Sequence, residues 1–154
     1  MKLYFDLCLL YRPFDDQNNE RIKLETQVLL LLLDLISAGK AHFVNSFALD
    51  FENSKNPNLE SRFKVSSLLK YATEYVEYDD MILHRALNIE KLGIMSMDAL
   101  HIACAEAANA VYFVTCDDKL VNKFKKAKNL KIVCYDALDF AYREILNYDR
   151  RNKT

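Results

Sequence analysis

The segment of residues 96–120, SMDALHIACAEAANAVYFVTCDDKL, limits the possible folds more than any other part of the sequence. Apolar residues recur at helical spacing from Met97 onward and predict a helix with Ser96 as its N-cap. The continuous apolar run at residues 111–115 then predicts a buried strand. One acid, Asp98, therefore lies at the start of a helix, and two more follow the carboxyl end of a buried strand.

Each of these acids also has a purely structural explanation. An aspartate in the first turn of a helix interacts favourably with the helix dipole, and an aspartate after a strand can cap the next helix. A chemical role therefore depends on whether further acids converge on the same place.

The composition is that of one globular domain. The chain has 154 residues, 51% of them hydrophobic, which is enough for one core. The net charge of −1 excludes a global basic field for nucleic acid, so any polyanion site has to be local. The four isolated cysteines form no CxxC motif and are expected to be buried thiols, which fits a reducing cytoplasm. Neither a signal peptide nor a membrane-spanning run is expected.

Strand and helix patterns alternate along the chain. Strands are predicted at residues 3–5, 41–45, 73–78, 111–115 and 131–135, with helices at 19–37, 47–54, 59–69, 80–91, 96–109, 119–127 and 137–147. The later half of helix 19–37 is apolar nearly all round and is expected to be deeply buried. This alternation predicts an α/β fold, a three-layer sandwich with helices on both faces of a parallel sheet. We expect one domain over residues 1–149 and a frayed tail over residues 150–154.

Four acids are placed to meet at one edge of this sheet. In such folds, ligands bind at the carboxyl ends of the strands, near a switch in strand order. Asp6 ends the first strand and Asp117 follows the fourth, so the two face each other if these strands are neighbours. Glu52 follows the second strand and Asp98 precedes the fourth, so both can reach the same edge.

Such a cluster of carboxylates favours a cation. Like charges about 4 Å apart repel by roughly 4 kcal/mol at an effective dielectric constant near 20. The cluster therefore either raises its own pKa values or binds positive ions. Oxygen ligands suit Mg²⁺ or Mn²⁺, and a water bound to such an ion can attack a phosphodiester.

Several segments together resemble the PIN-domain family of ribonucleases, which includes toxins of the VapC type. They are YFDLCLLYRPFDD near the N-terminus, the glutamate of FALDFENSKNP, MDALHIA and FVTCDDKL, and the resemblance covers nearly the whole chain. The resemblance implies a mainly parallel sheet of five strands in the order 3-2-1-4-5 and a site for Mg²⁺ or Mn²⁺. It maps Asp6, Glu52, Asp98 and Asp117 onto the acidic positions of the family.

By this resemblance, the three aspartates hold the principal metal, and Glu52 binds a second ion or orients the attacking water. Asp118 is the alternative to Asp117, and Asp50 is the alternative to Glu52. Because Asp50 lies about 200° from Glu52 around a helix, the two cannot both point into one site. His101, one turn after the third acid, is expected to be a packed or hydrogen-bonded core residue rather than a base.

Four residues are candidates for substrate binding. Arg12 lies in the loop after the first strand, where it either contacts a substrate phosphate or is solvated. Thr115 either holds a neighbouring carboxylate or a metal-bound water, or it merely starts the turn. Lys119 and Lys123 share one face of a basic helix, which is either a solvated surface or a track for nucleic acid.

The sequence thus predicts a Mg²⁺- or Mn²⁺-dependent endoribonuclease that hydrolyses single-stranded or structured RNA. The family context adds the toxin of a toxin–antitoxin pair, with an antitoxin partner, a homodimer, a cytoplasmic location and no membrane association. One alternative is a non-catalytic RNA-binding or protein-interaction module that keeps the fold. Another is a phospho-receiver domain phosphorylated on Asp79 or Asp80, although the acid pair that it needs after the first strand is absent.

Overall fold

The computed structural model describes residues 1–147, which form alternating strands and helices. The strands are β1 (Lys2–Phe5), β2 (His42–Ser46), β3 (Glu74–Val76), β4 (Tyr112–Thr115) and β5 (Val133–Asp136). The helices are α1 (Leu7–Tyr11), α2 (Glu20–Ser37), α3 (Phe47–Ser54), α4 (Leu59–Leu69), α5 (Asp80–Glu90), α6 (Ser96–Ala107), α7 (Asp118–Lys126) and α8 (Ala137–Phe140). A 3₁₀ turn, Arg12–Phe14, follows α1, and a π-helical stretch, Ala141–Leu146, continues α8. The tail predicted at residues 150–154 lies outside the described residues.

The five strands form one sheet in the order β3-β2-β1-β4-β5, and every neighbouring pair is parallel. This confirms the α/β class and the strand order that the family resemblance implies. The chain builds outward from β1 in one direction through β2 and β3, and in the other through β4 and β5. The switch in strand order therefore lies between β1 and β4, where ligand sites of such sheets are found.

Aromatic side chains on both faces of β1 pack against the neighbouring strands. Tyr4 stacks on Phe113 of β4 with ring centroids 5.3 Å apart, and Phe5 stacks on Phe43 of β2 at 5.2 Å. Since successive residues of a strand point to opposite faces, these two contacts lie on opposite sides of the sheet. The central strands are thus packed on both faces of the sheet, within the buried core.

Some local predictions were wrong for physical reasons. Helix α1 was not expected, because an apolar run of five residues does not separate a helix from a strand by its periodicity. The leucines of α2 are not buried all round, since Leu30 is 50% exposed while Leu29 is fully buried. Ser96 is the first residue of α6 rather than its cap, and its hydroxyl donates to Glu90. Among residues 1–147, no helix combines the length and apolar character needed to cross a membrane.

Candidate metal centre

An open cleft of about 470 Å³ lies at the carboxyl ends of β1 and β4, and all four predicted acids line it. Asp6 follows β1 directly and caps α1, and Asp117 lies two residues after the end of β4 and caps α7. Asp98 lies in the first turn of α6, and Glu52 lies in α3. The fold therefore gathers side chains from four separate elements into one place.

The carboxylate of Asp6 is held at both oxygens. Its Oδ1 accepts a hydrogen bond from the backbone N–H of Leu7 at 2.8 Å, and its Oδ2 accepts one from Thr115 Oγ1 at 2.7 Å. The fully buried Thr115 hydroxyl also accepts a bond from the backbone N–H of Asp117 at 3.1 Å. Thr115, predicted as a substrate-binding candidate, thus holds a neighbouring carboxylate, which is one of the two roles considered for it.

The surroundings of Asp98 in the cleft disfavour its ionised form. Burial of Asp98 and the nearby Asp6 carboxylate raise the pKa of Asp98 from 3.8 to about 6, with smaller contributions in the same direction from Asp117 and Glu52. Only His101 acts in the opposite direction among the causes of this shift. Burial and like charge thus disfavour the ionised form of Asp98, and a divalent cation bound in the cleft would stabilise that form.

The alternative acids point elsewhere. Asp118 forms two hydrogen bonds with the guanidinium of Arg21, both at 2.7 Å, which lower the pKa of Asp118. Asp50 accepts a hydrogen bond from Tyr75 at 2.8 Å, on the β3 side of the fold. The geometry therefore favours Asp117 over Asp118 and Glu52 over Asp50 as members of the cleft.

Glu52 is held by a buried histidine. His101 is fully buried, and its Nε2 lies 3.1 Å from Glu52 Oε1 while its Nδ1 lies 2.7 Å from the hydroxyl of Tyr4. His101 is thus a hydrogen-bonded core residue, as expected. One ligand atom each from Asp6, Glu52 and His101 lies within 4.8 Å of the others, so a cation bound beside Asp6 would also be within reach of Glu52.

The predicted substrate-binding cations lie outside the cleft lining. Arg12 donates to Glu25 Oε1 at 3.0 Å and to Asp15 Oδ2 at 2.9 Å, so its guanidinium is engaged in ion pairs. Glu25 is fully buried, and Arg12 is one of the cations that neutralise it. Lys119 and Lys123 lie on α7, which begins next to the cleft at Asp117.

Lys55 is a cation of the cleft that was not predicted from the sequence. Lys55 and Asn56 line the cleft, and Lys55 Nζ lies 4.8 Å from the ring centroid of the half-exposed Phe51. Lys55 is the C-cap of α3 and follows Glu52 by three positions, the spacing of neighbours on one helix face, whereas Asn56 lies beyond the end of that helix. That spacing was the available signal for Lys55. Tyr11, also in the lining, lies on the helix that was not predicted.

The fold and the site together define the class of this protein, a parallel α/β domain with an acidic cleft at the switch in strand order. The family model described as PIN domain matches residues 37–130, more than half of the chain. The chain therefore belongs to the PIN domain family, as its sequence resemblance indicates.

Two solved structures share this fold. One is FitAcB from Neisseria gonorrhoeae, with a TM-score of 0.56 and 14% sequence identity over 88% of this chain and 98% of that chain. The other is VapBC2 from Rickettsia felis, solved bound to a DNA fragment from their promoter, with a TM-score of 0.54 and 16% identity over the same shares. At these identities the similarity shows the fold. A comparison with curated protein sequences gives no significant match.

Proposed function

We propose that the protein is an endoribonuclease that depends on Mg²⁺ or Mn²⁺ and hydrolyses phosphodiester bonds of RNA. The observation that carries the proposal is the convergence of four carboxylates in one cleft at the switch point of the sheet. Membership of the PIN domain family supports a nuclease as the class of enzyme.

The donor set of the cleft suits a hard divalent cation. Carboxylate oxygens are the ligands that Mg²⁺ and Mn²⁺ prefer. The hydrogen bond from Thr115 already orients the Asp6 carboxylate. Burial and the nearby Asp6 carboxylate raise the pKa of Asp98, and a divalent cation bound there would offset this cost of ionisation. When bound, such an ion neutralises charge on the phosphate and activates a water for attack.

The four acids have different proposed roles in metal binding. Asp6, Asp98 and Asp117 would hold the principal ion. Glu52 is anchored at Oε1 by His101, which leaves Oε2 for a second ion or for the proton of the attacking water.

Substrate binding requires positive charge around this acidic centre. Lys55 lies in the cleft, and Lys119 and Lys123 extend a basic surface along α7. We propose that these side chains bind the phosphate backbone of the RNA. Arg12 could reach a phosphate only by giving up its bonds to Asp15 and to the buried Glu25. We therefore place Arg12 in the scaffold of the site.

The biological setting we propose is the toxin of a toxin–antitoxin pair, with an antitoxin protein as partner and a homodimer as the assembly. The resemblance to VapC-type toxins and the fold shared with VapBC2 support it. The surface offers apolar side chains that a partner can cover, among them Leu30 of α2 at 50%, Phe63 of α4 at 71% and Met81 of α5 at 80% exposure.

The test is cleavage of a mixed single-stranded RNA pool by the purified protein with Mg²⁺ or Mn²⁺. EDTA and Asp98→Asn should each abolish cleavage, whereas the matched control Asp50→Asn should cleave like the wild type, because Asp50 faces Tyr75 and not the cleft. Cleavage that survives Asp98→Asn would refute the site assignment. Absence of cleavage, together with a melting temperature that Mn²⁺ does not change, would favour a non-catalytic module.

A further inference from the structure

A line of buried polar side chains crosses the apolar core and ends at Glu52. Tyr4, Ser46 and His101 are each fully buried. Ser46 Oγ lies 2.7 Å from the hydroxyl of Tyr4, which lies 2.7 Å from His101 Nδ1, and His101 Nε2 lies 3.1 Å from Glu52 Oε1. Polar groups are costly to bury unless each is hydrogen-bonded, and here each has a partner.

The donors and acceptors of this line can be assigned in one direction. The backbone N–H of Leu49 is a donor only, and it donates to Ser46 Oγ at 3.1 Å. At the other end, a carboxylate oxygen accepts, so His101 Nε2 carries a proton and donates to Glu52 Oε1. In the tautomer with its single proton on Nε2, Nδ1 of His101 accepts from the Tyr4 hydroxyl, and the Tyr4 oxygen accepts from the Ser46 hydroxyl. Burial raises the pKa of Tyr4 well above its ordinary value, so this hydroxyl keeps its proton.

Glu52 needs such an anchor more than Asp6 and Asp117 do. Asp6 and Asp117 accept hydrogen bonds from backbone N–H groups, which fix them at the helix starts. Glu52 lies within α3, has a longer side chain that is 35% exposed, and is held by a side chain rather than by the backbone.

We propose that His101, oriented by Tyr4 and Ser46, is a positioning residue that sets the Glu52 carboxylate and thereby the metal affinity of the cleft. This inference rests on the proposed function, because it concerns the same acids. It assigns a role to the Tyr4 hydroxyl that packing does not require, since phenylalanine would keep the ring stack on Phe113.

The experiment is a titration of the whole protein with Mn²⁺, in which electron paramagnetic resonance measures the free ion. Tyr4→Phe should weaken Mn²⁺ binding about 10- to 100-fold, the usual loss when the partner of a metal ligand is removed. The matched control is Tyr75→Phe, which removes a hydroxyl bonded to the Asp50 carboxylate outside the cleft and should leave binding unchanged.

Two further comparisons separate positioning from a general effect on the fold. His101→Gln, whose amide can still donate to Glu52, should retain more Mn²⁺ affinity than His101→Leu. In a Glu52→Gln background, Tyr4→Phe should cost nothing further, because its effect passes through Glu52. Losses that simply add in this double-mutant cycle would overturn the inference.

The outcomes distinguish the inference from the proposed function. A wild-type protein that binds no Mn²⁺ would overturn the proposed function, and this inference with it. Mn²⁺ binding that Tyr4→Phe leaves unchanged would overturn the inference alone. Coupling of bound Mn²⁺ to a nitrogen nucleus in spin-echo spectra would identify His101 as a direct ligand and would replace the positioning role.

Discussion

Replacing Asp98 with asparagine should stabilise the metal-free protein while it removes metal binding. The pKa of Asp98 is raised from 3.8 to about 6, chiefly by burial and then by Asp6. Such a shift corresponds to about 3 kcal/mol of unfavourable free energy for the ionised form at pH 7. Because Asp98 is partly exposed, solvent screening reduces this to about 1 to 2 kcal/mol. The lost interaction with the helix dipole offsets about 0.5 kcal/mol, so a net gain of about 1 kcal/mol is expected.

The effect of Asp98 on stability should also depend on pH in a definite direction. The folded protein holds the Asp98 proton to higher pH than the unfolded chain does, since the pKa is raised to about 6 in the fold. The contribution of Asp98 to stability is therefore present below about pH 4 and is lost as the pH rises to about 6. The Asp98→Asn variant should lack this part of the decline.

The assay is urea unfolding of both proteins in EDTA at pH 4.5 and pH 7.5, followed by the same measurement at pH 7.5 with saturating Mn²⁺. In EDTA at pH 7.5 the variant should be the more stable protein. With Mn²⁺ at about 100 times its dissociation constant, the wild type should gain about 2.7 kcal/mol and the order should reverse. A variant that is less stable than the wild type in EDTA, or that gains equally from Mn²⁺, would refute the reasoning.

Three further predictions concern the same cleft. Thr115→Val should weaken Mn²⁺ binding about 10- to 100-fold, because Asp6 loses the hydroxyl that orients it; an unchanged titration would contradict this. Asp117→Asn should abolish RNA cleavage in a gel assay, whereas Asp118→Asn should leave the rate unchanged; equal effects would show that the pair is wrongly assigned. Lys55→Ala should weaken RNA binding and lower the slope of log affinity against log salt by about 1, and an unaltered slope would exclude a phosphate contact.

The course of the chain was largely predictable from local patterns. Helices α3 and α4 begin and end where their caps and apolar spacing predict. The parallel sheet followed from the alternation of strands with helices, and the strand order followed from the family resemblance. Asp6, Asp98 and Asp117 could be identified as candidates from neighbouring residues alone. Two of them follow buried strands, and Asp98 lies in the first turn of a helix.

Contacts between distant residues carried no such signal. The choice between Asp117 and Asp118 depends on Arg21, which lies 97 positions from Asp118 in the sequence. Likewise, Tyr4 and His101 meet across 97 positions, and each reads locally as an ordinary core residue. The exposed leucines of α2 show a further limit, since a pattern that is apolar all round does not distinguish burial within the fold from an exposed apolar surface.

The central claim is that these carboxylates support attack of water on an RNA phosphodiester. The most direct test is single-turnover cleavage of an RNA in ¹⁸O-labelled water with Mn²⁺, with mass spectrometry of the new ends. One ¹⁸O atom in each newly formed phosphate end, and no cleavage in EDTA, is the predicted result. A 2′,3′-cyclic phosphate without ¹⁸O would show that the 2′-hydroxyl attacks in place of water, and cleavage that persists in EDTA would show that no metal ion is needed. Either result would contradict the account.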